Sequence, residues 1–351
     1  NKRTEILHGV YALWVLRMTS KIMIMFNIVT IGDAVIDTHV FIDDASLECD
    51  YNHQNCQLCL TYASKIPISN SWQSLGGNAA NVAAGIKNLG LKSAIVTSVG
   101  NDSNGKIIKE ELKKQKVDTK FLSLDKKVKT RYSVVLNFKN ERTILSYHQK
   151  RDYYFPKKFP KTDWVYYTSL SEGYENLQAQ MLSWLSQQKN IHLVYNPGSV
   201  QLKNLDETKK VLAQTDILIL NLEEAKQIVS AGSNQTEDPR VLIQELLRLG
   251  AKEVAITNGA KGAWAGNGQK ALEISSFPVT VISKTGAGDA FSSGYVAARF
   301  YGHDLDTALK WGIANSCAVI SSAGPNKNFL NVQETKKIIA QFSSVEPKLI
   351  N

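Results

Sequence analysis

The chain has 351 residues, of which 43% are hydrophobic and 21% charged. These values exclude a disordered chain and a coiled coil. The length fits one large α/β domain or two small ones and excludes a small disulfide-stapled scaffold. The formal net charge of +9 favours anionic partners such as phosphorylated metabolites or nucleic acid without choosing between them.

An apolar stretch over residues 10–26 is interrupted by Arg17 and Lys21. No run reaches the roughly 18 uncharged residues that a membrane-spanning helix requires, and no small-residue cleavage site follows. We therefore expect a cytoplasmic protein with no membrane anchor and no secretory signal. Because the first convincing strand begins at Ile28, residues 1–25 are expected to be a poorly ordered extension.

Short β-branched or apolar runs alternate with helical patterns from Ile28 onward. The runs that we predict to be buried parallel strands are 28–31, 94–99, 164–168, 192–195, 216–220 and 254–257. The segments with helical spacing are 78–89, 104–116, 177–187, 223–230 and 241–249. Gly90 and Gly250 stand where left-handed C-terminal caps belong. This order predicts a three-layer α/β/α sandwich around a mostly parallel, doubly wound sheet.

Two stretches break this alternation, residues 38–70 and 131–150. The second contains two strand-like runs on either side of a Lys139-Asn140 turn. A hairpin beside a parallel sheet predicts a small, discontinuous β-lid over the active edge of that sheet. Because open sheet edges tend to find a partner, the lid is also a candidate surface for a homodimer.

Three of the four cysteines lie close together, with a histidine between the first two: Cys49, His53, Cys56 and Cys59. These four side chains could supply the tetrahedral ligands of a zinc ion, and the C-x-x-C end has the usual spacing. The alternative is a set of free or packed thiols in a reducing cytosol. The sequence leaves both interpretations open.

Other segments imitate nucleotide-binding motifs. Gly100–Lys106 approaches a phosphate-binding loop, but Ile107 stands where the magnesium-holding hydroxyl belongs. Asn267-Gly268 predicts a hairpin turn rather than a dinucleotide fingerprint. The lysine-rich run over residues 106–116 is typical of a solvated helix face, so we expect no nucleic-acid binding.

The strongest chemical signal is a turn of small residues, Gly286, Ala287 and Gly288, followed by Asp289 and a helix. Small residues before a helix start let consecutive backbone N–H groups converge on an anion, where the helix dipole adds partial positive charge. Asp289 can accept the proton of a substrate hydroxyl while that hydroxyl attacks a phosphoryl group. The alternative, for this segment taken alone, is an Asp that caps a helix after a glycine turn.

A second glycine-rich helix entry lies at Gly76 and Gly77, with Asn78 and Asn81 on one helix face. Amide side chains and bare backbone can bind sugar hydroxyls there, whereas the alternative is close helix packing with a capping Asn. Upstream, Asp37 follows the first strand, at the edge where open α/β sheets bind ligands.

Together these motifs resemble those of the PfkB carbohydrate kinase family, also called ribokinase-like. The segment Gly76–Asn81 is similar to the N-terminal signature of the family and Thr285–Phe291 to its C-terminal one. The resemblance implies a single kinase domain over residues 26–345. It also implies that Asp289 is the catalytic base, that Gly286–Gly288 form the anion hole, and that Asp37 holds substrate hydroxyls.

The resemblance also implies roles for residues whose local sequence carries a weaker signal. Asn221 and Glu224 are similar to an N-x-x-E motif that organises magnesium and nucleotide phosphates, usually through water, although the same pair fits a helix-capping box. The further ATP-binding positions that it implies are Thr257, Gly259, Gly262, Thr285 and Asn315. Asn315 is equally compatible with an exposed position on a helix.

Three departures from the family pattern bear on the substrate and the cofactors. Ser283 stands where many relatives carry an Asp, which leaves activation by a monovalent cation in doubt. Val35 replaces a polar residue that ribose-specific members carry, so ribose ranks low among the candidate substrates. The basic segment Tyr147–Arg151 fits a phosphate or carboxylate of the substrate, or a solvated strand end.

From these observations we expect a kinase that uses ATP and Mg²⁺ to phosphorylate a hydroxyl of a small sugar or sugar derivative. Two alternatives stay open. One is a nucleoside kinase on the same fold, and the other is a non-catalytic protein that binds nucleotide or sugar for regulation.

Overall fold

The computed structural model describes residues 25–50, 56–139, 141–230, 236–322 and 329–350. Its strands are β1 (Met25–Ile31), β2 (Val35–Ile42), β3 (Ser46–Cys49), β4 (Cys56–Cys59), β5 (Ile68–Gly76), β6 (Ser93–Gly100), β7 (Asp118–Asp125), β8 (Tyr132–Phe138), β9 (Glu141–Tyr147), β10 (Lys161–Thr168), β11 (His192–Asn196), β12 (Ile217–Asn221), β13 (Glu253–Thr257), β14 (Ala263–Asn267), β15 (Ala271–Ile274) and β16 (Lys348–Leu349). Its helices are α1 (Asn78–Asn88), α2 (Ser103–Lys114), α3 (Glu175–Leu185), α4 (Ser199–Leu202), α5 (Leu205–Leu212), α6 (Leu222–Ser230), α7 (Pro239–Arg248), α8 (Ala287–Phe300), α9 (Leu305–Ile320) and α10 (Val332–Gln341).

The centre of the fold is a ten-stranded sheet in the order β16-β15-β14-β13-β12-β11-β10-β1-β6-β7. The neighbours from β13 to β7 are parallel, and the β13–β16 edge is antiparallel. The mostly parallel sheet is therefore confirmed. All six predicted strands and all five predicted helices are present, with ends shifted by at most a few residues. The hairpin predicted at Asn267-Gly268 joins β14 to β15.

Helices cover both faces of this sheet. Along β10, Val165 and Tyr167 pack into a cluster that includes residues of α3, α6 and α7, while Tyr166 packs into a second cluster with residues of α8 and α9. Successive strand residues point to opposite faces, so both faces need apolar residues, and the strand consequently has a continuous buried run. The three-layer α/β/α architecture is confirmed.

A separate four-stranded sheet has the order β5-β2-β8-β9, and a two-stranded ribbon pairs β3 with β4. Strand β2 pairs antiparallel with β5 and parallel with β8, so it joins the two stretches that we predicted as a lid. The sheet extends to Gly76, beyond the predicted end near residue 70. Residues 69–74 of β5 are mostly polar and carry little of the alternation that identifies a strand.

The cysteine cluster differs from both expectations. Cys49 and Cys56 face each other across the β3–β4 ribbon and form a disulfide, which leaves Cys59 and Cys317 as the free cysteines of the described residues. Zinc binds thiolates, so the two bonded sulfurs cannot serve as its ligands, and the described ranges contain no metal-like group of three or more His, Cys, Asp or Glu. His53 lies outside the described residues.

The predicted N-terminal extension also lies outside the described residues, except for Met25, which begins β1. No helix within the described ranges has the length and apolar character to cross a membrane.

Candidate active site

A cavity of about 220 Å³ lies at the carboxyl end of the parallel strands, among the ends of β11, β12 and β13 and the first residues of α1, α6 and α8. Its lining residues are Asn78, Asn196, Ile219, Leu220, Asn221, Glu224, Thr257, Lys284, Gly286, Ala287, Gly288, Asp289 and Ser292. Ligands of open α/β sheets bind at this edge because successive loops converge there. The structure thus brings together both signature segments and the N-x-x-E pair.

Asp289 lies in the first turn of α8 and remains partly exposed to the cavity. Asn81 Nδ2 donates a hydrogen bond of 2.7 Å to Asp289 Oδ2. The pKa of Asp289 is raised to about 6, mainly by burial; the hydrogen bond from Asn81 lowers it, and the negative charge of Asp37 makes a smaller contribution to the rise. A carboxyl with this pKa is ionised at neutral pH and still basic enough to take a proton from a hydroxyl.

The turn before Asp289 is open to an anion. Gly286 is the N-cap of α8 and has a φ of 78°, in the left-handed region that favours glycine. A side chain at Gly288 would meet no atom within 4 Å, so the backbone there faces open space. The first N–H groups of a helix have no partner within the helix, and at this turn they border the cavity.

The structure places Asp37 on β2, in the small sheet, rather than directly at the edge of the central sheet as predicted. Burial raises the pKa of Asp37, while a hydrogen bond with Ser133 and the charge of Arg142 lower it. A side chain at Gly76 would overlap the Asp37 carboxylate, which explains the glycine of the N-terminal signature at this position. Gly77 has a φ of 91° and turns the chain into α1.

The position that we predicted for a carboxylate at the edge of β1 belongs to Asp33, a residue that we did not single out. Asp33 is 2% exposed, it forms an ion pair with Arg131, and it accepts a 2.6 Å hydrogen bond from the Tyr153 hydroxyl. Since Arg131 directly precedes β8 and Asp33 lies two residues before β2, this network fixes the base of two lid strands to the central sheet.

Asn221 and Glu224 form the reciprocal capping box of α6. Asn221 N donates to Glu224 Oε2, and Glu224 N donates to Asn221 Oδ1, both at 2.9 Å. Burial raises the pKa of Glu224, and so does the negative charge of Asp289. Two carboxylates that face one cavity provide the oxygen ligands that Mg²⁺ prefers, so the residues fit a magnesium ion held directly or through water.

Several predicted ATP-binding residues lie elsewhere. Gly259 and Gly262 belong to the connection after β13 and do not line the cavity, and a side chain at Gly262 would overlap the Ile274 carbonyl oxygen. Asn315 is 1% exposed and donates hydrogen bonds to Trp311 O and Thr335 Oγ1, so it is not the exposed helical residue of one interpretation. Its role at ATP stays a prediction.

In the basic segment after the lid hairpin, residues 148–150 are exposed, as expected for a solvated strand end, whereas Arg151 differs from both expectations. Arg151 is 1% exposed and donates to Lys129 O at 2.7 Å and to Ser98 Oγ at 3.3 Å. It is therefore an internal anchor of the fold rather than a ligand of the substrate or a solvated strand end. His148 contacts Arg131 at 3.3 Å.

Sequence reasoning missed Arg142, which lies in β9 and donates a hydrogen bond to Thr285 Oγ1. It also missed Asn196, which lines the cavity from the end of β11. A polar residue at the carboxyl end of a predicted parallel strand was the available signal for Asn196, whereas no local pattern connects Arg142 with a turn so distant along the chain.

Comparisons with known proteins agree with this architecture. The sequence profile of the "pfkB family carbohydrate kinase" family matches residues 37–331. Among curated proteins, an ATP-dependent 6-phosphofructokinase of Thermoanaerobacterium thermosaccharolyticum is 25% identical over 314 residues, 85% of this chain and 89% of that protein. A 5-dehydro-2-deoxygluconokinase of Bacillus licheniformis is 26% identical over 341 residues, 91% and 97% of the two chains.

Solved structures share the fold. Arabidopsis thaliana ribokinase, complexed with ribose and ATP, superposes with a TM-score of 0.72 at 18% identity, over 90% of this chain and 99% of that chain. A nucleoside kinase of Methanocaldococcus jannaschii gives 0.72 at 20% identity, over 90% and 98%. The family profile spans both signature segments and the cavity between them, and the chain therefore belongs to the pfkB family of carbohydrate kinases.

Proposed function

We propose that this family member transfers the γ-phosphoryl group of ATP to a hydroxyl of a sugar or sugar derivative, with Asp289 as the general base. The observation that carries the proposal is the position of Asp289, whose pKa is raised to about 6, directly beside the open N-terminus of α8. A base and an anion site that border one cavity are what the transfer of a phosphoryl group to a hydroxyl requires.

In this reaction, Asp37 and Asn78 orient the acceptor sugar through its hydroxyls. Asp289 accepts the proton of the attacking hydroxyl, and the N–H groups of the Gly286–Gly288 turn bind the oxygens of the transferring phosphoryl group. Closure of the small sheet over the cavity excludes water, which limits the hydrolysis of ATP.

Glu224, and Asn221 beside it, would hold Mg²⁺ at the phosphates, directly or through water. When bound, the ion neutralises negative charge on the phosphate oxygens. The variant Glu224→Gln keeps an oxygen acceptor for the capping box but removes the charge, so it should raise the Mg²⁺ concentration at half-maximal rate about tenfold or more.

The test of the proposed reaction is ADP release in a coupled assay over sugars, sugar phosphates, sugar acids and nucleosides, with wild type and Asp289→Asn side by side. We expect turnover with one substrate class, and a loss of at least about 10²-fold in the variant. Equal rates in the two proteins would contradict the role of Asp289. Bound ATP without turnover on any compound would favour a regulatory protein.

The same panel decides between a sugar kinase and a nucleoside kinase. The solved ribokinase and nucleoside kinase superpose on this chain equally well, so the fold alone does not separate the two activities. Both curated relatives named above are kinases of sugars or sugar acids by name, which supports a sugar rather than a nucleoside as the phosphate acceptor. Competition of ribose, fructose 6-phosphate and adenosine for the active enzyme measures the preference.

A homodimer through the lid stays a prediction, for which the mass in solution is the test.

A further inference from the structure

A second cavity, of about 350 Å³, lies beside β7, the edge strand of the central sheet. It is lined by residues of β6 and β7, by residues 153–157, which form neither helix nor strand, and by Leu177 of α3. It shares no lining residue with the cavity that contains Asp289. Its volume lies within the roughly 300–1,000 Å³ that small-molecule sites occupy.

The lining of this second cavity offers aromatic surface to a ligand. Phe121 of β7 and Phe155 are only partly buried against the core, so each ring keeps an uncovered part, and Tyr154 is 68% exposed. Phe155 is held in place by stacking on Phe159, with ring centroids 4.7 Å apart. These residues therefore suit a ligand that carries an aromatic ring of its own.

Two lysines give the cavity a positive charge. Lys120 and Lys157 both line it and are exposed, whereas no Asp or Glu is among the lining residues. The Lys120 ammonium lies 3.7 Å from Asp118, and an exposed pair at this distance is exchanged readily for another anion. Ammonium groups beside an aromatic pocket favour a ligand whose ring carries an anionic group.

Two serine hydroxyls complete the polar part of the lining. Ser98 and Ser123 are paired across β6 and β7. Ser98 Oγ accepts a 3.3 Å hydrogen bond from Arg151, and Ser123 Oγ donates one of 3.3 Å to Thr97 O. Among the described residues this leaves the hydroxyl hydrogen of Ser98 for a ligand. One hydroxyl donor and two exposed ammonium groups match the two oxygens of a carboxylate, whereas a phosphate dianion needs more donors.

The second cavity is connected by hydrogen bonds to the segment that leads into the lid strand β8. Tyr153 lines the cavity and donates to Asp33, which forms the ion pair with Arg131. Ser98 is bonded to Arg151, which also donates at 2.7 Å to the backbone carbonyl two residues before Arg131. Since β8 begins directly after Arg131, a ligand that holds these two lining residues also holds the base of the lid.

We propose that the second cavity is a regulatory site for a small carboxylic acid with an aromatic ring. The ring packs against Phe121 and Phe155, and the carboxylate pairs with Lys120 or Lys157. The bound acid holds Tyr153 in its hydrogen bond and thereby favours the lid position that encloses the sugar. This effect on the sugar rests on the proposed kinase function, whereas the binding site does not. Coupling between two sites is reciprocal, so the sugar tightens the binding of the acid by the same factor.

The probe is para-fluorohydrocinnamate, a phenylpropionate with one fluorine on its ring, and the corresponding amide is its uncharged match. Fluorine NMR titrations with the full chain measure the affinity of each. Ser123→Trp fills the cavity, and Leu124→Trp is its control, because the next residue of β7 is 43% exposed and does not line the cavity. Thermal unfolding of each variant verifies its fold.

A second pair of variants tests the charge. Lys120→Gln combined with Lys157→Gln removes both ammonium groups from the lining. Lys126→Gln combined with Lys127→Gln removes two exposed lysines that lie outside the lining. The KM for sugar and kcat are measured in wild type and in Ser123→Trp, with and without the acid.

We expect the wild type to bind the acid with a Kd of about 1 mM or below, and the amide about fivefold more weakly or worse. Ser123→Trp should weaken the acid about tenfold or more, and the lining-lysine variant should bind acid and amide equally. Both controls should behave like wild type. At saturation the acid should lower the KM for sugar about twofold or more in wild type and leave it unchanged in Ser123→Trp.

Four outcomes would overturn parts of the inference. No binding of the acid at about 10 mM, or equal weakening by Ser123→Trp and Leu124→Trp, would refute the site. Equal affinities of the wild type for acid and amide would refute an acidic ligand. An unchanged KM in an active, acid-saturated enzyme would refute the regulation and leave the kinase function intact. A wild type that binds the acid but turns over no sugar would refute the kinase function and the regulation together, while the site itself stands.

Discussion

Replacing Asp289 by Asn is expected to remove most of the activity and, at the same time, to stabilise the fold. Asn81 Nδ2 donates to the carboxylate at 2.7 Å, and an amide oxygen in the same place can accept that bond, so the local geometry survives. What disappears is a negative charge that burial and the neighbouring Asp37 disfavour. The same charge is the base, so kcat should fall about 10²- to 10⁴-fold.

The size of the stability change follows from the pKa. The ordinary value is 3.8 and the folded protein raises it to about 6, so the folded state binds this proton more tightly than the unfolded state does. The ionised carboxyl therefore destabilises the fold fully above about pH 6, and the penalty disappears as the pH falls below about 4. The two pKa values set an upper limit of roughly 3 kcal/mol, and partial solvent exposure reduces it, so we expect a gain of about 1–2 kcal/mol at pH 8.

Urea unfolding of wild type and variant at pH 8 and pH 4 measures this gain, which should be present at the first pH and absent at the second. In parallel, the kcat of the wild type should decline as the pH falls through about 6, because protonated Asp289 cannot take the hydroxyl proton. If the variant is less stable than wild type at pH 8, a damaged fold rather than the missing base explains its lost turnover. A wild type that keeps its full rate at pH 5 would refute the role of the raised pKa.

Three further substitutions test the surroundings of the site. Gly76→Ala forces a methyl group onto the carboxylate beside it on β2, so steady-state kinetics should show a KM for sugar about tenfold or more above wild type. Tyr153→Phe removes a buried 2.6 Å hydrogen bond to Asp33, and urea unfolding should show a loss of about 1–3 kcal/mol. Gly262→Ala combines a φ of 106° with overlap of a carbonyl oxygen and should lower the thermal midpoint clearly, whereas Gly268→Ala, whose side chain would meet open space, should not.

The sequence was sufficient for six of the seven parallel strands of the central sheet, because buried parallel strands are continuous apolar runs. The seventh, β7, lies at the edge of the sheet and contains exposed residues among its buried ones, so it has no such run. Gly90 and Gly250 have the predicted left-handed conformations, with φ of 89° and 121°. The lid was harder to delimit, since β5 is largely polar and most of it is exposed. Asn315 illustrates another limit, because only the packing of α9 against α10 determines that a polar residue on a helix faces inward.

The site was predictable as far as its residues belong to motifs. Asp289, the Gly286–Gly288 turn and Glu224 share one cavity as expected, because strand-to-helix loops of a parallel sheet meet at one edge. Arg142 and Asp33 were not predictable, because their partners come from distant parts of the chain and only the tertiary structure selects them.

The position of β1 has a consequence for the way the chain reaches this structure. This strand pairs with β6 on one side and with β10 on the other, and its residues Ile28, Val29 and Ile31 have no exposed surface. During synthesis the β6 side can pair early, but the β10 side stays open until residues 161–168 have left the ribosome, after both parts of the lid have been made. An apolar strand with one unpaired edge is a template for wrong partners, so folding should be slow and sensitive to chaperones up to that point. Until then the cavity is incomplete, because the strands that carry three of its lining residues, Asn196, Asn221 and Thr257, are added only after β10.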